Sequence, residues 1–315
     1  MIEKLNNLEG RSKRQMRTTF KSFCIRILIL LLFSCKESSS VGLPNLENKK
    51  GLLNRSLLYQ NQIREYILYI PQSYSEDTPL PVMLNFHGFG GTAKRHLRSA
   101  DMRELSESKG FILIYPQGTL LGNYTHWNPS LIGEGNKSST DDLGFIDKLL
   151  TTLPEEINID SSRIYACGYS NGGFFSYGLA CNLYSQIAAI GSVAGTMMSD
   201  TYENCQATMP KPMINIHGVN DPIVPYEGAP GLVPINDVLN FWSELNFAEN
   251  VEINFFEGVE NYVYKDSIET PFVSHYKVLN GTHTWDYNSL LSNNINTNEL
   301  IWEFVSKFDI NGFIE

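Results

Sequence analysis

The chain has 315 residues, 42% of them hydrophobic, which is enough apolar side chain to bury one large core or two modest ones, and one domain is the simpler interpretation. Its formal net charge of −10 disfavours nucleic acid and anionic membrane surfaces as partners, because both carry the same sign of charge. We therefore expect one folded domain that binds neither of them.

The first residues have the pattern of an export signal. Basic side chains precede the apolar run ILILLLF at residues 27–33, and Ser34 and Cys35 follow it. The run is too short to cross about 30 Å of hydrocarbon as a helix, so a permanent membrane span is the weaker interpretation. The ending LFSC resembles the bacterial lipobox, in which the cysteine is lipidated and becomes the mature N-terminus. This resemblance predicts lipidation at Cys35.

Three segments follow from this pattern. We expect a signal peptide with a lipobox-like end at residues 1–35, a polar tether at residues 36–55 and a single catalytic domain at residues 56–315. The protein would then be exported, and would be either extracellular or anchored to the outer membrane by lipid. Free secretion and a retained anchor are the alternatives, and Met16 is an alternative start.

From residue 56 onward, apolar runs alternate with helical patterns, which predicts an α/β fold with a mostly parallel sheet and helices on both faces. The stretch 115–140 has no periodicity and is typical of a long loop. The predicted strands are residues 65–70, 81–86, 111–115, 163–167, 187–193, 213–217 and 251–256. The predicted helices are residues 93–109, 143–153, 171–184 and 238–245, and a last helix begins near Asn296, where Glu299 suggests a capping box.

The strongest chemical signal is the sequence GYSNGG at residues 168–173, between a predicted strand and a predicted helix. It contains the pattern GxSxG, which in this context marks the strained turn that raises a nucleophilic serine above the sheet of an α/β-hydrolase. Glycine at 168 and 172 keeps side chains away from Ser170. We therefore expect the α/β-hydrolase fold with Ser170 as the nucleophile. A glycine-rich turn without chemistry is the alternative.

A serine hydroxyl needs a histidine base, which in this fold comes later in the chain. Three histidines follow Ser170. His217 closes a predicted strand and His275 lies in an alternating run, whereas His283 lies in the loop sequence NGTHTWD. We predict His283 as the base, because a loop allows it to reach over the serine.

The histidine in turn needs a carboxylate to orient it. Asp221 lies directly after the predicted strand MINIH, and catalytic groups of open α/β sheets gather at the carboxyl ends of strands. We predict Asp221 as the acid, with Asp200 as the second candidate.

The negative charge that develops on the substrate oxygen needs backbone amide donors. One donor is expected from Asn171, at the start of the helix after the nucleophile. The other should come from the sequence HGFGG, where we predict Phe89, with Gly88 or Gly90 as alternatives. His87 is expected to support this loop. The chemistry requires no metal and no organic cofactor.

The five cysteines have different expected roles. Cys24 would leave with the signal peptide, Cys35 would be lipidated, and Cys167 ends a predicted core strand, where a thiol packs as a small apolar group. Cys181 and Cys205 remain, and we predict a disulfide between them in an oxidising compartment.

These motifs together resemble the esterase family that includes polyhydroxybutyrate depolymerases and feruloyl and acetylxylan esterases, carbohydrate esterase family 1. The resemblance implies a triad that falls on Ser170, Asp221 and His283, and it also supports the predicted cysteine pair. The similar segments occur in matching order as REYILYIP, HGFGGT, YPQG, WN, DDLGFI, RIYACGYSNGG, LAC, AGTM, HGVNDPIVPY and HTW.

The resemblance implies a serine esterase that hydrolyses feruloyl or acetyl esters on plant polysaccharide fragments, so the partner would be a small or oligomeric ester. Tyr169, Trp127 and Trp285 are predicted to line the substrate site, with Phe89 and Tyr124 in the same aromatic wall. The loops after WN and HTW depart from the family pattern. The alternatives are a hydrolase of 3-hydroxybutyrate oligomers, a serine peptidase of this fold and a non-catalytic glycan-binding lipoprotein.

Overall fold

The computed structural model describes residues 50–131, 136–287 and 296–314. Within these ranges a ten-stranded sheet forms the centre of the fold. The strands are β1 (Gly51–Tyr59), β2 (Gln62–Ile70), β3 (Leu80–Phe86), β4 (Ile112–Pro116), β5 (Thr119–Leu121), β6 (Tyr124–His126), β7 (Ile159–Tyr169), β8 (Ala189–Val193), β9 (Met213–Gly218), β10 (Asn250–Phe256), β11 (Val259–Lys265), β12 (Pro271–Val278), β13 (Phe308–Asp309) and β14 (Gly312–Phe313). The helices are α1 (Ala93–Ser99), α2 (Arg103–Lys109), α3 (Asp142–Thr152), α4 (Asn171–Asn182), α5 (Ser199–Glu203), α6 (Ile235–Leu245) and α7 (Thr297–Val305).

The middle of the sheet is parallel and both of its ends are antiparallel. The strand order is β1-β2-β4-β3-β7-β8-β9-β12-β11-β10, and every neighbouring pair from β4 to β12 is parallel. The carboxyl ends of β3, β7, β9 and β12 therefore lie along one edge of the sheet, where ligands of open α/β sheets bind. The predicted mostly parallel sheet is confirmed.

Helices cover both faces of the sheet, because the middle strands are apolar on both sides. In β3, Val82, Leu84 and Phe86 pack with residues of α3, α4 and α6, whereas Met83 faces the opposite side and packs with residues of α1 and α7. This alternation gives two hydrophobic cores, one on each face. The predicted arrangement of helices on both faces is confirmed.

The helix predicted at residues 93–109 is wrong in one respect, because it is two helices. α1 ends at Ser99, with Ala100 as its C-cap, and the Asp101 carboxylate accepts a hydrogen bond of 3.1 Å from the backbone N–H of Arg103, the first residue of α2. A side chain that bonds a nearby backbone N–H competes with the helical pattern, so the chain turns at this point. The predicted end of the segment is correct, since Gly110 closes α2 in a left-handed conformation with φ of +72°.

The sheet is larger than the sequence patterns indicate. β1 begins at Gly51, so residues 51–55, predicted as the end of the tether, belong to the sheet. Its residues alternate between half-buried and exposed because it is an edge strand, and this leaves a weak apolar signal. β11 was not predicted either, because polar residues interrupt the apolar ones in its sequence VENYVYK, and a short β5–β6 hairpin lies inside the predicted loop 115–140.

One further prediction concerns the last helix. The capping box at the last helix is confirmed, because Asn296 Oδ1 accepts from the N–H of Glu299 at 2.9 Å and the Glu299 carboxylate accepts from the N–H of Asn296 at 3.4 Å. In the part of the chain that the structure describes, no helix is both long and apolar enough to span a membrane.

Candidate active site

Ser170 lies at the turn between β7 and α4 in a conformation that few residues adopt. Its φ is +53° and its ψ is −118°, and its amide donates to the carbonyl of Val193 at 2.9 Å. Close packing explains the two flanking glycines: a Cβ on Gly168 would overlap the backbone of Gly172, and a Cβ on Gly172 would overlap the carbonyl of Phe86. The surrounding chain thus holds Ser170 in a strained geometry that presents its hydroxyl at the edge of the sheet.

A continuous line of hydrogen bonds joins Ser170, His283 and Asp221. His283 Nε2 lies 3.0 Å from Ser170 Oγ, and His283 Nδ1 lies 2.7 Å from Asp221 Oδ2. Because an ionised carboxylate only accepts hydrogen bonds, Nδ1 carries the proton and Nε2 accepts from the serine hydroxyl. The fold therefore brings together the three residues that the sequence pattern singled out.

Asp221 is held in place by its own loop after β9. Its side chain is buried, and Oδ1 accepts from the amides of Ile223 at 2.8 Å and Val224 at 2.9 Å. Burial alone would raise the pKa of Asp221, but the hydrogen bonds from His283 and from these two amides together outweigh it and hold the pKa below its usual value. The carboxylate is therefore ionised and oriented towards the imidazole.

His283 reaches the serine because its loop packs against the end of β9. A Cβ on Gly281 would lie 2.8 Å from the Cα of Gly218, and the carbonyl of Gly281 accepts from the amide of Asn220 at 2.9 Å. Tyr169 Oη also donates to the carbonyl of His283 at 3.0 Å. The φ of Gly281 is not in the left-handed region, so the role of this glycine is to permit the close approach.

The two other histidines after Ser170 are buried. His217 Nε2 lies 3.7 Å from Asp221 Oδ2, beyond hydrogen-bond distance, and the hydrogen bonds of both rings go to other groups. His217 Nε2 donates to the carbonyl of Val224 at 2.8 Å, and His275 Nε2 hydrogen-bonds to Tyr226 Oη at 2.8 Å. Burial lowers the pKa of both, that of His275 to about 3, so both are neutral. Their hydrogen bonds fit structural roles.

The loop HGFGG approaches Ser170 closely. A Cβ on Gly88 would lie only 3.3 Å from Ser170 Cβ. The amide of Gly90 donates to the carbonyl of Thr125 at 2.8 Å, so the alternative in which Gly90 stabilises an oxyanion is wrong. Among the described residues, the amides of Gly88 and Phe89 have no protein acceptor, which leaves both free to bind a substrate oxygen.

His87 supports this loop, as expected. Nδ1 donates to the carbonyl of Gly88 at 2.8 Å, and Nε2 accepts from the amide of Gly118 at 3.0 Å. This arrangement requires a neutral ring with one proton. Burial lowers the pKa of His87 to about 4, so the ring is neutral at physiological pH.

Two of the three predicted lining residues are wrong. Trp127 is 1% exposed, its indole N–H donates to the carbonyl of His87 at 3.0 Å, and its ring stacks on Phe175. Trp285 is 6% exposed and donates to Asn298 Oδ1 at 3.0 Å. Both tryptophan rings pack in the core and both indole N–H groups are hydrogen-bonded within the protein. Neither ring therefore presents a surface to a ligand.

The predicted disulfide is confirmed. Cys181 on α4 is bonded to Cys205, and Cys167 is a free buried thiol. Within the described ranges, no group of three or more His, Cys, Asp or Glu side chains is arranged to hold a metal ion.

Comparison with known proteins gives relatives whose names include an esterase activity. No family model matches the chain. The chain is 24% identical over 250 residues to the bifunctional acetylxylan esterase/xylanase XynS20E of Neocallimastix patriciarum, a match that covers 79% of this chain and 34% of that protein. It is 27% identical over 176 residues to feruloyl esterase C of Emericella nidulans, covering 53% of this chain and 59% of the relative. The matches span less than two thirds of either relative.

Solved structures show the fold. An acetyl xylan esterase from Aspergillus awamori superposes with a TM-score of 0.57 at 17% identity, over 74% of this chain and 94% of that chain. A thermostable esterase gives a TM-score of 0.56 at 16% identity, over 82% of this chain and 63% of that chain. The chain has the α/β-hydrolase fold. The resemblance to feruloyl and acetylxylan esterases is confirmed, whereas the likeness to polyhydroxybutyrate depolymerases stays a prediction.

Proposed function

We propose that this α/β-hydrolase is a serine esterase that removes feruloyl or acetyl groups from plant polysaccharide fragments. The observation that supports the proposal most is the line of hydrogen bonds from Ser170 Oγ through His283 to Asp221, at 3.0 and 2.7 Å. The strained backbone at Ser170 and the free amides beside it add to this support. The relatives named acetylxylan and feruloyl esterase suggest the substrate class.

In the proposed mechanism, His283 Nε2 takes the hydroxyl proton of Ser170 while Oγ forms a bond to the ester carbonyl carbon. The carbonyl oxygen becomes an oxyanion, which accepts hydrogen bonds from the amides of Asn171 and Phe89. His283 then gives the proton to the leaving alcohol oxygen as the ester C–O bond breaks. An acyl group remains on Ser170.

In the second half of the proposed mechanism, water hydrolyses the acyl group on Ser170. His283 takes a proton from a water molecule as its oxygen attacks the acyl carbon, and then returns a proton to Ser170 as the carboxylic acid leaves. Asp221 remains ionised throughout and stabilises the imidazolium that forms at each step. Protein groups and water are enough for this reaction.

The experiment is hydrolysis by the purified protein of methyl ferulate, acetylated xylan and a 3-hydroxybutyrate trimer, which also tests the polyester alternative. We expect the wild type to cleave at least one of the first two substrates and Ser170→Ala to cleave neither. Ser176→Ala is the matched control. Ser176 is a buried serine on α4, the helix that follows Ser170, and its hydroxyl donates to the carbonyl of Gly172. An active Ser170→Ala variant, or a wild type that cleaves neither ester, would overturn the proposal.

We also propose that the protein is exported, with the signal peptide at residues 1–35 and lipidation at Cys35. This segment lies outside the described residues, and the Cys181–Cys205 bridge supports an oxidising compartment. Cell fractionation with mass spectrometry of the mature N-terminus tests it. A lipid-modified Cys35 is expected, and Cys35→Ala should release the protein from the membrane fraction.

A further inference from the structure

Two exposed aromatic rings are stacked on each other next to the candidate active site. Phe89 is 47% exposed and Tyr124 is 60% exposed, and their ring centroids are 5.4 Å apart with 27° between the planes. Single exposed aromatic residues are common, but a stacked pair beside a nucleophile offers a ready surface for a ligand. The proposed proton transfers use neither ring.

The pair is adjacent to the reacting atoms. Phe89 follows Gly88, whose Cβ position would be 3.3 Å from Ser170 Cβ. On the other side of Phe89, a Cβ on Gly90 would lie 3.4 Å from Tyr124 Cδ1. The two rings are therefore carried by segments that border Ser170, and we infer that a substituent next to the ester bond can contact them.

The two rings are also held in place before any ligand arrives. The amide of Gly90 donates to the carbonyl of Thr125 at 2.8 Å, and Thr125 Oγ1 donates to the carbonyl of Gly91. These bonds tie the loop that carries Phe89 to the β5–β6 hairpin that carries Tyr124. A surface that is already ordered loses little conformational entropy when it binds a ligand.

We propose that Phe89 and Tyr124 form a stacking shelf that binds a flat ring of the ester substrate, which is either an aromatic acyl ring or the pyranose ring of the alcohol. Both kinds of ring have an apolar face, which is the chemistry that an exposed aromatic surface recognises. This inference rests on the proposed function, because it assigns the substrate group that lies beside the ester bond.

The test replaces Tyr124, since the backbone of Phe89 belongs to the proposed oxyanion site. Leu120→Ala is the matched control for Tyr124→Ala. Leu120 is 65% exposed on the same hairpin, where Leu121 pairs with Tyr124 and Leu120 pairs with Thr125, so Leu120 lies on the opposite face. The substrates are methyl ferulate, a monoacetylated methyl xyloside and ethyl acetate, which has no ring.

We expect Tyr124→Ala to lower kcat/KM about three- to tenfold, mainly through KM, for one or both ring-bearing esters. Ethyl acetate should be unaffected, and Leu120→Ala should match the wild type on all three. Loss with methyl ferulate identifies the acyl ring, and loss with the xyloside identifies the sugar ring. An equal loss with ethyl acetate, the same loss in Leu120→Ala, or no loss with either ring-bearing ester would overturn the proposal.

Binding without turnover separates this inference from the proposed function. Saturation-transfer NMR on Ser170→Ala should detect the ring protons of methyl ferulate or the xyloside, and adding Tyr124→Ala should weaken that signal. Ring binding by a protein that hydrolyses nothing would support the shelf and contradict the esterase. Hydrolysis without Tyr124-dependent ring binding would contradict the shelf alone.

Discussion

The side chain of Asn171 holds the backbone of Trp127 by two hydrogen bonds. Asn171 Oδ1 accepts from the Trp127 amide at 2.8 Å, and Nδ2 donates to the Trp127 carbonyl at 3.0 Å. The Trp127 indole N–H in turn donates to the carbonyl of His87, at the start of the loop that carries Phe89. One buried tryptophan thus connects the two segments whose amides we assign to the oxyanion.

The first prediction follows from this connection. Trp127→Phe keeps an aromatic ring in the core but removes the donor to His87, so the spacing of the two oxyanion donors should relax. We expect kcat to fall roughly tenfold with little change in KM, since the lost interaction acts only in the transition state. Steady-state kinetics with methyl ferulate measure both constants.

Trp242→Phe is the control for that variant. Trp242 is also buried, but its indole nitrogen has no hydrogen-bond partner among the described residues. Both variants should lose stability through packing, whereas only Trp127→Phe should lose kcat. Equal losses of kcat in the two variants would show that the hydrogen bond from Trp127 to His87 does not position the oxyanion donors.

The second prediction concerns the acid. Asp221→Asn keeps the shape of the side chain but removes the charge that orients and stabilises the His283 imidazolium, and we expect kcat to fall about 10³- to 10⁴-fold. Asp200→Asn, at the second candidate from the sequence, should retain wild-type activity. If kcat fell strongly in Asp200→Asn and only slightly in Asp221→Asn, Asp200 would be the acid and the assignment of Asp221 would be wrong.

The third prediction concerns acid stability. Burial lowers the pKa of four histidines in the folded state: it lowers that of His87 to about 4 and those of His96 and His275 to about 3, and it also lowers the pKa of His217. Above pH 6.5 they are neutral in both states, and their contribution to stability is complete. As the pH falls below 6.5, the unfolded chain takes up protons that the folded chain refuses, so the free energy of unfolding decreases.

Urea denaturation between pH 7 and pH 4.5 measures this dependence. Each buried histidine should contribute up to about 1.4 kcal/mol per pH unit to the slope of the free energy of unfolding against pH. His96→Asn should reduce this slope by the contribution of one histidine. A free energy of unfolding that does not change over this range would contradict the burial of these rings.

The residues to which we assign the reaction could be predicted from the sequence, because their signals are local and ordered along the chain. A serine between two glycines after a strand, an aspartate after the strand MINIH and a histidine in a later loop are each tied to a strand end, and parallel strands bring those ends together. The Cys181–Cys205 bridge was predictable because the other cysteines had other uses. These inferences needed only chain order.

The surroundings of the site were not predictable in the same way. Trp127 and Trp285 belong to the core while Phe89 and Tyr124 are exposed, yet all four are aromatic residues in loops or short strands near glycine. Which ring is covered depends on partners that are distant in the sequence, since Trp127 stacks on Phe175 of α4 and Trp285 packs edge-on against His96 of α1. The edge strand β1 escaped prediction because half of its residues face solvent and blur the apolar pattern.

The fourth prediction concerns the disulfide. The two cysteines are separated by 24 residues, and removing a cross-link of that span should lower the free energy of unfolding by about 3 kcal/mol. We expect this loss in a Cys181→Ser/Cys205→Ser double variant in urea denaturation. Cys167→Ala, which keeps the bridge, is the control for loss of a buried sulfur. A double variant as stable as the wild type would show that the bridge does not stabilise the fold.

The nucleophilic role of Ser170 is the central claim, and covalent labelling tests it most directly. An alkyl fluorophosphonate reacts with an activated serine, and peptide mass spectrometry identifies the labelled residue. We predict one adduct per chain, located on Ser170, that is absent from Ser170→Ala and forms far more slowly in His283→Ala. An adduct on a different residue, or an active enzyme that takes up no label, would contradict the assignment.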